Sequence, residues 1–317
     1  MAKSRTFSRS GAPGNPPDRA PAGTENRAEP NRAGAGSKPA PGLYIVPTPI
    51  GNLQDITLRA LDILQSVELI ACEDTRVTGH LLDAHGITTP VTPYHEHNAP
   101  RVRPQLLRRR KAGASIALVS DAGTPTISDP GYRLVSEAAA ADVPVVALPG
   151  ASAVITALAA SALPTDRFLF MGFLPSRATA RRRALEEIAA VRASLVLFES
   201  PRRLAGCLAD LAQVLGDRDA AIARELTKRF EEIRRAPLSA LAQDYARNGP
   251  PKGEVVIVVA PPGDAAPPSE DAIDALLRDA LGDHSLRDAV DLVTAKTGVP
   301  RRTVYARALS LDDERWP

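Results

Sequence analysis

Carboxylates, hydroxyls and glycines concentrate at a few points of this chain, most densely in Val119-Ser-Asp-Ala-Gly-Thr-Pro-Thr-Ile-Ser-Asp-Pro-Gly131. An apolar run empties there into a segment holding two Gly, two Pro and two Asp within eleven residues. Turn residues at that density make a preformed cradle for a small ligand, because each restricts its own backbone without a partner. Asp121 and Asp129 could carry acid–base chemistry or close Asx turns, and the turn role is the expectation for Asp129. Cys72-Glu-Asp-Thr-Arg76 offers two adjacent carboxylates and a guanidinium. Those groups suit proton transfer or a grip on a ribose hydroxyl. Asp74 or Thr75 as a helix cap beside an ion pair explains the same residues, and the spacing favours the cap. In Pro47-Thr-Pro-Ile-Gly-Asn52 two prolines stiffen the segment and Gly51 permits close backbone approach. Leu148-Pro-Gly-Ala-Ser152 leads into a stretch, Ala153 to Ala162, so poor in bulk that a ligand or a sheet must lie close to it.

Other clusters promise less. One strand would place His95 and His97 on the same face, but no third ligand at workable spacing accompanies them, so no metal is expected. Phe198-Glu-Ser-Pro-Arg-Arg203 and Arg224-Glu-Leu-Thr-Lys228 put charge at strand ends, where salt bridges explain it. Neither GxGxxG nor GxxxxGK[ST] occurs, which argues against a dinucleotide fingerprint and a P-loop.

These segments need elements to position them. Strand patterns fall at 43–46, 67–71, 115–120, 144–148, 168–172, 194–198, 219–224 and 254–260. Helical patterns alternate with them near 57–65, 76–84, 101–112, 131–141, 152–161, 178–190, 201–215 and 237–246. Such alternation predicts α/β layers on a mainly parallel sheet, with ligands at the carboxyl ends of the strands. Ala162-Leu-Pro-Thr-Asp-Arg167 is the best break, giving one domain at 43–163 and a second at 166–261. A Pro-rich linker follows, then an extension at 268–317 with helices at 270–281, 285–295 and 300–309. The last two are joined through Thr297-Gly298-Val299-Pro300, the pattern of a helix-turn-helix. Lys296, Arg301, Arg302 and Arg307 give the final helix a face suited to phosphates. Arg101 to Lys111 carries six basic residues and no acid, a second candidate for contact with RNA.

Composition bounds the rest. The chain has 317 residues, 44% hydrophobic and 24% charged, with a formal net charge of +2, the balance of a globular protein whose overall field does not announce nucleic acid. Two cysteines cannot form a disulfide framework or a four-ligand zinc site. Apolar runs such as Leu195–Phe198 are strand-length, and no charged n-region opens the chain, so no membrane span and a cytoplasmic location are expected. Residues 1–42 hold 7 Pro, 6 Gly and 7 Lys/Arg against 3 Asp/Glu, which predicts a disordered basic tail.

Taken together, Pro47-Thr-Pro-Ile-Gly-Asn52, Glu73-Asp-Thr-Arg76, Ser120-Asp-Ala-Gly-Thr-Pro125, Ser128-Asp-Pro-Gly131, Leu148-Pro-Gly150, Glu199-Ser, Arg224-Glu-Leu-Thr-Lys228 and Gly253-Glu254 resemble the ribosomal RNA small subunit methyltransferase I family. That family lies within the tetrapyrrole-methylase-like superfamily. The resemblance covers about 43–261, and the helical end is similar to the family's C-terminal helix-turn-helix. It implies the two-domain class III methyltransferase fold and S-adenosylmethionine as methyl donor. It further implies 2'-O-methylation of a decoding-region cytidine in 16S rRNA, within the small ribosomal subunit, by a homodimer. The donor-binding residues it implies are Pro47, Pro49, Gly51, Asn52, Asp121, Ala122, Gly123, Thr124, Pro125, Ile127, Ser152 and Ala153, with Phe198, Leu226 and Gly253 from the second half. Glu73, Asp74 or Asp121 is the expected acceptor of the hydroxyl proton, with Arg76 or Lys228 fixing phosphate or ribose. Three alternatives remain at this point: a relative that methylates a tetrapyrrole or a protein side chain, a DNA-binding regulator, and an RNA-binding assembly factor without turnover.

Overall fold

A computed structural model describes residues 38–263 and 269–313. The basic tail expected at 1–42 lies outside the described residues as far as residue 37, whereas its last five residues are part of the structured chain: Lys38 pairs with Glu68 at 2.7 Å, and the Tyr44 hydroxyl donates to the Ala40 carbonyl.

The first half alternates strands and helices: Gly42–Ile45 (β1), Leu58–Ser66 (α1), Leu69–Cys72 (β2), Thr75–Ala84 (α2), Val91–Pro93 (β3), Ala99–Lys111 (α3), Ser115–Val119 (β4), Tyr132–Ala140 (α4), Val145–Ala147 (β5) and Ala153–Ala160 (α5). Its sheet has the order β3-β2-β4-β1-β5, and every pairing is parallel. β1, β2 and β4 are buried along their whole length, as a sheet covered on both faces requires. The two-residue period sorts their side chains. Leu43, Leu69, Ile116 and Leu118 face α3 and α4, and Tyr44, Ile70, Ala117 and Val119 face α1 and the end of α2.

The second half comprises Phe168–Phe173 (β6), Ala178–Glu186 (α6), Ser194–Glu199 (β7), Leu204–Leu215 (α7), Asp219–Arg224 (β8), Glu232–Pro237 (β9), Leu238–Asn248 (α8) and Val255–Val259 (β10). Its sheet has the order β6-β7-β10-β8-β9. Only β6 and β7 pair in parallel, while β10 runs antiparallel to β7 and β8, and β9 antiparallel to β8. The expectation of a mainly parallel sheet therefore fails here. The connection from β8 to β9 is too short for a crossover, which takes a dozen or more residues, so β9 must turn straight back. The strand patterns of the sequence include neither β3 nor β9. β3 is only three residues long, and β9, Glu-Ile-Arg-Arg-Ala-Pro, is a polar edge strand without a buried position.

One face of this sheet packs on α6, α7 and α8 through residues such as Leu185, Leu204, Leu208 and Leu241. Truncating any of these fully enclosed leucines to alanine would cost about 2–5 kcal/mol. The opposite face receives α5: Val154, Ala157 and Leu158 share a core with Val196, Ala221, Val256 and Val258, together with Ile50 from the first half. The bulk-poor stretch after Ser152 is thus explained by helix–sheet packing along most of its length.

Glu270–Asp283 (α9), Leu286–Thr297 (α10) and Arg301–Asp313 (α11) form a three-helix unit with its own core, including Leu277, Val290, Val293 and Val304. Ser269 and Ser285 cap α9 and α10, and Gly298 closes α10 in the left-handed conformation. Residues 264–268, in the predicted linker, lie outside the described residues.

Candidate active site

Parallel strands end on one edge, so the segments following β1, β2, β4 and β5 gather there. Backbone hydrogen bonds clasp two of them: the Thr48 amide donates to the Gly123 carbonyl at 2.9 Å, and the Gly123 amide returns to Thr48 at 3.0 Å. The Thr48 hydroxyl donates to the Ser120 carbonyl, and the Thr124 hydroxyl to that of Ala151. Pro47 lies so close to Gly150 that a β-carbon on the glycine would sit 2.5 Å from the ring. The segment after β4 is strained as well as clasped, with φ of 76° at Thr126 and 63° at Ser128. Non-glycine residues reach that region at a cost of about 1–3 kcal/mol, and such strain clusters at functional sites. Glu225 and Thr227, in the turn after β8, repeat the feature with φ of 51° and 65°.

Between these segments and the second sheet lies a cleft of about 410 Å3, within the range of roughly 300–1,000 Å3 usual for small-molecule sites. Its walls include Ala122, Gly123, Thr124 and Ile127 from the segment after β4, and Ser152 and Ala153 from the start of α5. Phe198, Glu199, Gly253 and Val256 complete it from the second half. Phe198 stacks edge-on to Phe170, 4.9 Å between ring centres, and tilts against Phe173. Pro49, Gly51 and Asp121 line a smaller neighbouring cleft of about 250 Å3 instead. Pro47, Asn52, Pro125 and Leu226 line neither. Asn52 caps a short 3-10 turn by accepting from the Gln54 amide, and Leu226 is buried in the core beneath.

The acidic groups divide sharply. Asp74 caps α2, accepting from the Arg76 amide at 2.8 Å, and its carboxylate pairs with the Arg76 guanidinium at 2.5 Å. The hydrogen bond from that guanidinium holds the Asp74 carboxyl down at about 2. Glu73 moves the other way: burial raises it first, and the charges of Asp121, Asp129, Glu96 and Asp74 push it further. Asp121 accepts the Asp74 amide at 3.0 Å. Asp129 is raised by burial and lines the larger of these two clefts.

Lys228 is committed internally, to Glu225 at 2.8 Å and Glu254 at 2.9 Å. Its stem lies against Gly51, where a β-carbon would meet it at 2.4 Å. Glu199 is buried and takes hydrogen bonds from the Ser200 amide and from Arg203. His95 and His97 sit at a turn after β3 rather than on it, and among the described residues no cluster of three metal-type ligands exists.

A family described as Tetrapyrrole (Corrin/Porphyrin) Methylases matches residues 42–242, and one described as RsmI C-terminal HTH domain matches 266–312. A Mesorhizobium japonicum protein named ribosomal RNA small subunit methyltransferase I is 50% identical over 274 residues, covering 86% of this chain and 93% of its own. Proteins of the same name from Vibrio cholerae and Escherichia coli O157:H7 are 52% identical over 74% of the chain and 46% over 84%, covering 80% and 94% of their own lengths. This chain belongs to the ribosomal RNA small subunit methyltransferase I family.

Solved structures show that the family's fold is shared more widely. A cobalt precorrin-4 methyltransferase superposes with a TM-score of 0.53 at 18% identity, covering 69% of this chain and 94% of that one. A diphthine synthase gives 0.54 at 17%, covering 69% and 89%.

In a member of this family the basic surfaces are candidates for contact with RNA. On α3, Arg103 pairs with Glu137 and Arg110 donates to the Pro41 carbonyl. Arg101, Arg108, Arg109 and Lys111 remain exposed, and no acid pairs with them among the described residues. The helical unit departs from expectation: Arg307 is spent on Asp274 and Glu270 and Arg301 on Asp291, leaving Lys296 and Arg302. Residues 269–313 carry nine Asp/Glu against six Lys/Arg, so the basic face is local.

Sequence reasoning missed Ile50, Phe173, Glu199 and Glu254 as cleft residues. Phe173 had a faint signal, since Gly172 just before it breaks the strand register. Glu199 had none, because a buried carboxylate at a strand end reads as a salt bridge, which it also is.

Proposed function

We propose that this protein transfers a methyl group from S-adenosylmethionine to the ribose 2'-hydroxyl of a cytidine in the decoding region of 16S rRNA. The observation that carries the reading is the two-part match: the helical unit matches a family named for this enzyme, beyond the end of the tetrapyrrole-methylase match. A tetrapyrrole enzyme or a small-molecule-sensing regulator leaves that pairing unexplained.

The cleft suits the donor. Phe198, Ile50 and Val256 offer an apolar slot for a purine, Ser152 and Thr124 offer hydroxyls, and the carboxylates of Asp129, Glu199 and Glu254 suit a cationic sulfonium. The donor supplies an activated methyl group, so the chain needs no nucleophile of its own. Its task is to align the hydroxyl and accept a proton. Glu73 lines neither cleft, and electrostatics alone single it out as the acceptor. Asp74 is too weak a base at about 2 and is held by Arg76, whereas the surroundings of Glu73 raise its affinity for a proton. Lys228 holds the turn after β8 against Gly51 rather than gripping phosphate. The exposed residues of α3 and, more weakly, Lys296 and Arg302 meet the RNA backbone.

The resemblance further supports two lobes at 43–163 and 166–261, a homodimer and a cytoplasmic location. No helix among the described residues is long and apolar enough to cross a membrane.

Purified protein is incubated with labelled S-adenosylmethionine and small subunits from cells lacking the enzyme, followed by nucleoside mass spectrometry. Methyl label on the ribose of one decoding-region cytidine supports the reading. Donor binding without label in RNA, or label entering a tetrapyrrole, overturns it. Light scattering at the same concentration reports the mass of a monomer or a dimer.

A further inference from the structure

Beside the donor cleft lies another of about 400 Å3, bounded by the turn leading into α3 and the first residues of α4. Asp129 lines both, so the two cavities share one wall. The second has a different lining. Tyr132, the first residue of α4, leaves 73% of its surface exposed, an aromatic ring that folding has not covered. Gly131 seats it: a β-carbon there would lie 2.8 Å from Leu118, so the chain enters α4 pressed against β4, at φ 134°. Arg133 stands next to the ring, and Glu96 faces the cleft from the opposite turn. Arg103, held by Glu137, and the buried Tyr94 build the floor.

We propose that this cleft seats the acceptor nucleotide, with its base stacked on Tyr132 and its exocyclic amine donating to Glu96. The proposal rests on the rRNA 2'-O-methylation read above and adds how the base is held and chosen. An exposed ring beside an open cavity is the device by which proteins capture unstacked bases, since every base offers a π-face. The polar partners then select. Carboxylates accept hydrogen bonds and cannot donate them when ionised, which suits the N4 amine of cytosine and opposes the O4 carbonyl of uracil. The same carboxylates repel phosphate, so the backbone runs on the side of Arg133 and the exposed arginines of α3. A base in this cleft directs its ribose toward the Asp129 wall, beyond which the donor cleft begins. Extruding one nucleotide from its stack brings the hydroxyl there.

The test uses the full-length protein, S-adenosylmethionine and small subunits carrying either cytidine or uridine at the target position. Donor affinity is measured by calorimetry for every variant. Tyr132→Ala is expected to raise the subunit KM at least tenfold with donor affinity unchanged, and Tyr132→Phe to restore it to within about threefold. Glu96→Gln is expected to lower the cytidine-over-uridine ratio of kcat/KM at least tenfold, because an amide both donates and accepts. An unchanged KM in Tyr132→Ala, or an unchanged ratio in Glu96→Gln, overturns the proposal. If the unaltered protein binds donor but methylates neither subunit, the functional reading has failed and this proposal falls with it. If it methylates cytidine normally and only the variants show no effect, the proposal alone fails.

Discussion

The acids at the strand ends of the two halves differ in how many of them have a cation. In the second half each has a cation: Glu199 has Arg203, and Glu225 and Glu254 share Lys228. In the first half Asp74 has Arg76, but Glu73 and Asp129 form no ion pair among the described residues, and burial with the charge of neighbouring carboxylates raises the proton affinity of both. Paired acids at a strand end hold turns in place, as the strained Glu225–Lys228 turn shows. Unpaired acids crowded against each other cost stability and persist where chemistry needs them. The comparison supports the proposal that proton transfer belongs to the first half, while the ion pairs of the second hold its turns.

The largest expected effect breaks that comparison if it fails. Glu73→Gln should lower single-turnover methylation by about 100-fold or more, the usual contribution of a general base, with donor affinity by calorimetry unchanged; full turnover would remove Glu73 as the acceptor. Next, neutralising Arg101, Arg108, Arg109 and Lys111 together should weaken subunit binding about tenfold or more and flatten its salt dependence, by roughly three in the slope of log K against log salt. Neutralising Lys296 and Arg302 should do about half as much, read by filter binding across a salt series. In the second half, Lys228→Met should lower unfolding stability by about 1 kcal/mol, since the pair with Glu225 is only partly shielded. Urea denaturation checks this, with turnover per folded molecule nearly intact; a loss like that of Glu73→Gln would return Lys228 to the chemistry.

The smallest effect carries the sharpest sign. Glu73 has a raised pKa in the folded chain, so the folded state binds the proton more tightly than the unfolded state does. Its carboxyl is therefore harmless to stability below the ordinary carboxylate range and becomes destabilising as pH rises through that range and ionisation proceeds. Glu73→Gln should raise Tm by about 2 °C near neutrality, and the gain should vanish as pH falls toward 4. A gain independent of pH would mean that the side chain is merely ill-packed.

Much of the fold and of the cleft is legible in the amino-acid sequence. β1, β2, β4 and β5 of the first half announce themselves as short, mostly apolar runs leading into Gly, Pro or Asp, and the loops after β1, β4 and β5 supply one side of the cleft. Strand direction in the second half is not legible, because a central strand buried on both faces reads the same whichever way it runs. β9 is hidden by its charges, which serve an edge. Asp129 reads as a turn residue because it precedes Pro, and only tertiary structure places it on a cleft wall. Arg301 and Arg307 promise a phosphate-binding face because their acidic partners lie ten and more residues away in sequence.

Ile50 leaves its own sheet to enter the core of the other half, and next to it Gly51 is pinned beneath the stem of Lys228. Prising the halves apart would expose that shared core and pull Gly51 away from the Lys228 stem. A donor bound between halves joined in this way would enter and leave by the mouth of the cleft, with no need for them to part.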